Sequence, residues 1–182
     1  MELKEKLIQN QRIFTGRIIN LDLETVQLPN QHSAQREVIH HHGAVGILAI
    51  RKQKILLVQQ WRQPLRQVTW EIPAGKIEIQ ETDLSQVAAR ELNEETGYQA
   101  AQLIKIGGFY SSPGFADEYL TLFWAKGLAP VIQKRPLDAD EFVNVRWLSL
   151  SDVEEQIQQG TICDAKTLLA VAHWRQQLAG GN

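Results

Sequence analysis

The 182-residue chain has a single cysteine, Cys163, so it can form neither an internal disulfide nor a thiolate metal cluster, a usage that fits a reducing compartment. Net charge is nearly absent too. The 19 Lys and Arg residues face 21 Asp and Glu, leaving -2, with none of the basic striping that draws nucleic acid. Long hydrophobic runs are missing: the longest, GAVGILAI, falls far short of the roughly 20 residues needed to span a bilayer. The opening MELKEKLIQNQRIF lacks the apolar core and cleavage pattern of a secretory signal. No repeat, low-complexity tract or Pro/Gly/Ser linker divides the chain. These absences lead us to expect a cytoplasmic protein with no membrane or nucleic-acid partner.

The composition, 43% hydrophobic and 22% charged, suits one compact domain carrying a small appended arm. Residues 12–29 alternate apolar with polar side chains and stop at Pro29-Asn30, the pattern of strands ending in a turn. AVGILAI and ILLVQQW, separated by RKQK, predict a hairpin near the core. Further strands are expected at Val68–Ile72, Leu103–Phe109, Tyr119–Ala125 and Val143–Leu148, with Gly75 releasing the chain into a loop. SDVEEQIQQG reads as a helix from a Ser/Asp start to a Gly stop, and Asp164 can cap another running to Leu178. The fold class expected is a mixed α+β domain.

One helix is unusual. Asp83 with Gln86 has capping-box spacing, Ala88, Ala89 and Leu92 favour helix, and Gly97 is placed to end it. At about 100° per residue, Leu84, Val87 and Ala88 form the buried stripe, and Glu91 and Glu95 fall in the same sector with Glu94 at its margin. A solvated acidic face would lie opposite that stripe. Acids that continue it repel one another and lose hydration unless a cation neutralises them. Hard carboxylates without cysteine or spaced histidine suit Mg²⁺ or Mn²⁺, ions that commonly share their shell with water and substrate phosphate.

From Gly75 through Arg90, Glu91, Leu92, Glu94, Glu95, Gly97 and Tyr98 the sequence closely resembles the Nudix hydrolase signature, G-x(5)-E-x(7)-R-E-U-x-E-E-x-G-U, where U is aliphatic or aromatic. One departure is visible: eight residues, not seven, separate Glu81 from Arg90, which leaves the part played by Glu81 open. REVIHHHGAVGILAI, LLVQQWRQP, WEIPAGKIE, SSPGFADEYLTLFWAKGL and GTICDAKTLLAVAHW extend the resemblance toward the ADP-ribose pyrophosphatase branch. The resemblance implies a Nudix α/β/α sandwich with a mixed sheet and an N-terminal β arm, residues 1–42 forming the arm and 43–182 the Nudix domain. It also implies a homodimer, with the arm serving dimerisation and substrate contact, and Mg²⁺-dependent cleavage of ADP-ribose to AMP and ribose 5-phosphate.

Residue by residue, the resemblance makes Glu91, Glu94 and Glu95 metal ligands oriented by Arg90, with the main-chain carbonyl of Ala74 beside them. It places substrate contacts at Arg36, Glu37, Arg62, Gly75 and Pro113, and Arg66 stays open. Asp138, Asp140 and Glu141 occupy the branch's acidic loop, where Ala139 stands at the earlier of two glutamate positions and Glu141 at the later, a place that also touches metal. The resemblance leaves the general base open, with Glu141 preferred and Glu118 or Glu95 as alternatives. His40, His41 and His42 enter a strand on alternating faces, so they cannot all ligate one ion and are read as structural. Trp61, Trp70, Phe14 and Phe109 are read first as core or interface aromatics, with no base platform assigned. Hydrolysis of another nucleotide sugar, such as ADP-glucose or GDP-mannose, and non-catalytic sensing of ADP-ribose are the rival readings.

Overall fold

The computed structural model describes residues 2–180, which divide into two compact units. The smaller gathers the chain up to Gly43 with Phe109–Leu120; the larger holds Ala44–Gly108 and the chain from Thr121 on.

In the smaller unit, strands β1 (Lys6–Thr15), β2 (Ile19–Gln27) and β3 (Ser33–His41) form an antiparallel sheet in that order. Its firmest polar anchor is Asp22, 1% exposed, which takes hydrogen bonds from Arg12 and from Asn10 Nδ2 at 2.7 Å and lies 3.4 Å from His40 Nε2. Arg12 and then Asn10 hold its carboxyl below the usual range. The loop Ser111–Glu118 runs along β3: Ile39 N–H donates to the Phe115 carbonyl at 2.7 Å, and Asp117 N–H donates to that of Ile39 at 3.0 Å. β1 is exposed along its whole length, including Leu7, Ile8, Ile13 and Phe14.

The larger unit contains β4 (Ala44–Arg51), β5 (Lys54–Arg62), β6 (Gln67–Glu71), β7 (Ala74–Lys76), α1 (Leu84–Thr96), β8 (Tyr98–Gln99), β9 (Gln102–Tyr110, whose last two residues fall in the smaller unit), β10 (Tyr119–Lys126, whose first two residues do so), β11 (Ala129–Pro130), β12 (Asn144–Ser149), α2 (Leu150–Gln158) and α3 (Ala165–Gly180). The main sheet runs β12-β5-β4-β10-β9, with β6 paired to β5 and β7 to β4. β4 and β5 meet through Lys52-Gln53, both left-handed with φ of 49° and 56°, the tight hairpin expected of RKQK. β4 is buried over Ala44–Ala49, as befits a central strand. Val45, Ile47, Ala49, Leu56, Phe123 and Ala125 pack on Val87, Ala88 and Leu92 of α1. The alternating Trp124 meets His173 of α3 edge-on, which puts α3 on the opposite face. The larger unit is therefore layered helix, sheet, helix around a mixed sheet.

Three expectations change. Gly75 sits in β7, where Ala74–Lys76 pairs with Ala44–Gly46, rather than opening a loop. Helix α2 starts earlier than SDVEEQIQQG implied: Ser149 is the cap, in a reciprocal box with Asp152, because its hydroxyl accepts the Asp152 N–H while Asp152 accepts that of Ser149. At α1, Asp83 caps Ser85 and Gln86, but Gln86 answers side chain to side chain, to Asp83 Oδ2 at 3.1 Å, so no full box forms.

Candidate active site

Helix α1 delivers the acids. Its Asp83 cap, worth about 1 kcal/mol, and its Gly97 terminus, left-handed at φ 72° with N–H donated to Asn93, set the length of the helix, and the Val87–Ala88–Leu92 stripe sets its rotation. Glu91 and Glu95 consequently lie inward, 6% and 3% exposed, as the helical projection required. Glu94 is half-buried at the margin.

Each acid is held by main chain or by Arg90. Glu95 Oε2 accepts the Ala74 N–H at 3.0 Å. Glu91 lies so close over Gly75 that a Cβ there would meet its carboxyl carbon at 2.0 Å, so only glycine permits the approach. Arg90 spends its fork on four partners: Glu81 at 2.9 and 3.1 Å, Glu91 at 2.7 Å, Glu94 at 2.9 Å and the Lys76 carbonyl at 3.4 Å. The extra residue before the helix thus leaves Glu81 in contact with Arg90, while Glu81 Oε2 accepts the Glu78 N–H at 2.9 Å.

Burial dominates the electrostatics. It drives the Glu91 carboxyl up to about 7 against the pull of Arg90, and that of Glu95 to about 8 against the Ala74 N–H. The charge of Glu141 adds to both shifts. Glu141 itself is raised, by burial and then by Asp138, whose carbonyl accepts its N–H at 3.0 Å. Its loop is tied to the helix: Arg135 N–H donates to Asn93 Oδ1 at 2.9 Å, Lys134 Nζ to the Glu95 carbonyl at 3.2 Å, and Lys76 Nζ lies 3.9 Å from Asp138.

Among the described residues no three His, Cys, Asp or Glu side chains converge into a preformed cation cage, because Arg90 draws the carboxylates of Glu91 and Glu94 to itself. The donor set nevertheless fits a hard divalent cation: three carboxylates, two of them buried at a cost that a cation would relieve, with Glu91 packed directly over the Gly75 main chain.

A pH dependence follows. With folded values near 7 and 8 against 4.5 for an ordinary glutamate, the native state binds more protons than the unfolded chain between about pH 5 and 8, so stability falls as pH rises there. Glu71, held at about 2, completes its opposite contribution below that window. In chelator, the thermal midpoint should drop from pH 5 to 8, and Mg²⁺ should flatten the decline. A flat or rising midpoint in chelator would count against the burial of ionisable Glu91 and Glu95.

The remaining predicted residues are distributed unevenly. In the larger unit, Arg62 grips Glu71 with two bonds of 2.7 Å, so its fork is committed to a buried acid. In the smaller, Arg36 holds Glu5 at 2.6 and 3.1 Å, Glu37 is exposed, Pro113 sits in the Ser111–Glu118 loop, and Glu118 bonds Ser111. His40 Nδ1 contacts Asp117 at 2.6 Å, and His41 Nδ1 accepts the Gly43 N–H, in keeping with structural roles. Glu71, Lys166 and Thr167 were not singled out by sequence. The usable signal for Glu71 was a charge in register with inward Thr69 on a strand.

Comparison with known proteins settles the family. The NUDIX domain family matches residues 40–170. The chain belongs to the Nudix family. It is 45% identical over 94% of its length, and 92% of the other's, to an ADP-ribose pyrophosphatase of Bacillus subtilis. It is 43% identical over 97% and 95% of the two lengths to a methanol dehydrogenase activator of Bacillus methanolicus. A crystal structure of an ADP compounds hydrolase aligns with a TM-score of 0.86, covering 100% of this chain and 98% of that one at 18% identity, and shows the Nudix fold.

Proposed function

We propose that the protein is a Nudix pyrophosphatase that hydrolyses ADP-ribose to AMP and ribose 5-phosphate. The observation that carries this reading is the pair of buried acids, Glu91 and Glu95, with Glu94 on the Nudix helix and Gly75 of β7 against Glu91; the substrate is that named for the Bacillus subtilis relative. Glu91, Glu94, Glu95 and the Ala74 carbonyl would hold Mg²⁺, or Mn²⁺ in its place. When bound, such an ion supplies Lewis-acid polarisation of the pyrophosphate and lowers the pKa of water. Arg90 orients Glu91 and Glu94, and the Ala74 N–H holds Glu95. Glu141 accepts a proton from the attacking water as a P–O bond breaks, and Arg36, Glu37, Arg62, Gly75 and Pro113 contact substrate. For Arg62 this means presenting substrate with a guanidinium already braced by Glu71.

Residues 1–42 act in this reading as an arm that joins two copies, supported by the exposed Leu7, Ile8, Ile13 and Phe14 on β1. Among the described residues no helix is long and apolar enough to cross a membrane. The lone Cys163 favours the cytoplasm.

The deciding assay follows AMP release from ADP-ribose with Mg²⁺ and with chelator, beside ADP-glucose and GDP-mannose at equal concentration. Metal-dependent AMP with ADP-ribose preferred is expected. Tight ADP-ribose binding without cleavage would replace the reading with a sensor, and preference for another sugar would move the substrate.

A further inference from the structure

We infer that Lys166 and Thr167, in the first turn of α3, are positioning residues that lock the segment leading from β6 to Ala74, the residue whose N–H holds Glu95. The inference rests on the proposed active site and concerns a layer of the protein that site does not include.

The lock is a buried chain of contacts. Asp164 Oδ1 caps α3 by accepting the Thr167 N–H at 3.0 Å and accepts Lys166 Nζ at 2.9 Å. Lys166 Nζ also donates to Glu71 Oε2, and Glu71, 2% exposed, takes two bonds from Arg62 and one from Thr69 Oγ1 at 2.6 Å. Thr167, fully buried, accepts the Ile72 N–H at 3.0 Å. In the next two residues, the Pro73 carbonyl accepts the Ile47 N–H at 2.8 Å and Ala74 N–H reaches Glu95. Trp70 N–H, one residue before Glu71, donates to the Thr161 carbonyl at 2.8 Å. The segment from Trp70 to Ala74 is therefore pinned at every residue, with its far side held by α3 and the segment leading into it.

Stability alone does not explain such an arrangement. A buried ion network gains little over well-packed apolar side chains of similar volume, because desolvation offsets most of the attraction. What it supplies is direction: Lys166 and Arg62 fix Glu71 from two sides, and Thr167 fixes the next peptide. The end of β6 then cannot rotate, and Ala74 meets Glu95 in one geometry. Partners one layer behind metal-binding groups typically change affinity or activity by about 10- to 100-fold when removed.

The test uses the full chain with Lys166→Met, Lys166→Arg and Thr167→Val. Mn²⁺ binding without substrate is followed by the spin-resonance signal of the free ion, and kcat and KM for ADP-ribose are measured beside it. Lys166→Met should weaken Mn²⁺ binding and lower kcat by about 10- to 100-fold with KM little changed, and Lys166→Arg should recover most of both. Should Lys166→Met not fold, Thr167→Val, which keeps every charge and cuts only the Ile72 bond, should show the same loss. Wild-type Mn²⁺ affinity in the folded variant overturns the inference. Wild-type protein that neither binds Mn²⁺ nor cleaves a nucleotide sugar overturns the active-site reading itself, a result visible before any substitution is made.

Discussion

Glu95→Gln should remove nearly all turnover of ADP-ribose while leaving the fold intact. Glutamine keeps the volume of this 3%-exposed side chain, and its amide oxygen can still accept the Ala74 N–H, so no cavity is created and that donor keeps its acceptor. Only the negative charge is lost. If that charge holds the cation that stabilises the pyrophosphate, several kcal/mol of transition-state stabilisation go with it, and at about 1.4 kcal/mol per factor of ten the rate should fall by about 10³-fold or more. Stability should move the other way. A carboxyl pushed up to about 8 by burial opposes folding once the unfolded chain ionises, so in chelator at pH 8 the variant should melt at or above the wild-type temperature. Wild-type rates in the folded variant would remove Glu95 from the ligand set.

The second large effect is expected at Glu141. As general base it should contribute about 10²- to 10⁴-fold, so Glu141→Gln should lower kcat by that range and alter the acid limb of the kcat/KM profile, which reports the base's ionisation. The same change at Glu118 separates the alternatives. Glu118 is bound to Ser111 and lies 3.7 Å from His41 Nδ1, whereas the charge of Glu141 is felt at both Glu91 and Glu95. Glu118→Gln should therefore cost much less than Glu141→Gln. The reverse order would transfer the base to Glu118.

How far the sequence revealed these features depended on the range of the interactions. Val87, Ala88, Glu91 and Glu95 are neighbours on one helix, and a 3.6-residue period was sufficient to place the two acids inside. The central strands were legible because apolar runs bounded by turns have few alternatives. Contacts between distant segments were not. Glu71 and Lys166 are 95 residues apart, and nothing local in WEIP or DAKT announces that they meet. β7 was missed because three residues around a glycine carry no period; their strand exists only as a partner to β4. Arg62 was placed among the substrate contacts by the resemblance alone, and its attachment to Glu71 shows the planar fork of arginine turned toward an internal carboxylate.

The extra residue between Glu81 and Arg90 bears on how such chains are recognised. Thr82 and the Asp83 cap span the gap between Glu81, anchored by Arg90, and the first turn of α1, and both anchors survive a longer path. A search pattern counts positions along the chain, while the site depends only on where the ends of the loop arrive. A pattern strict about that interval would reject this chain although Glu81, Glu91 and Glu94 all meet Arg90, and a rule stated as closure between a cap and an ion pair would keep it.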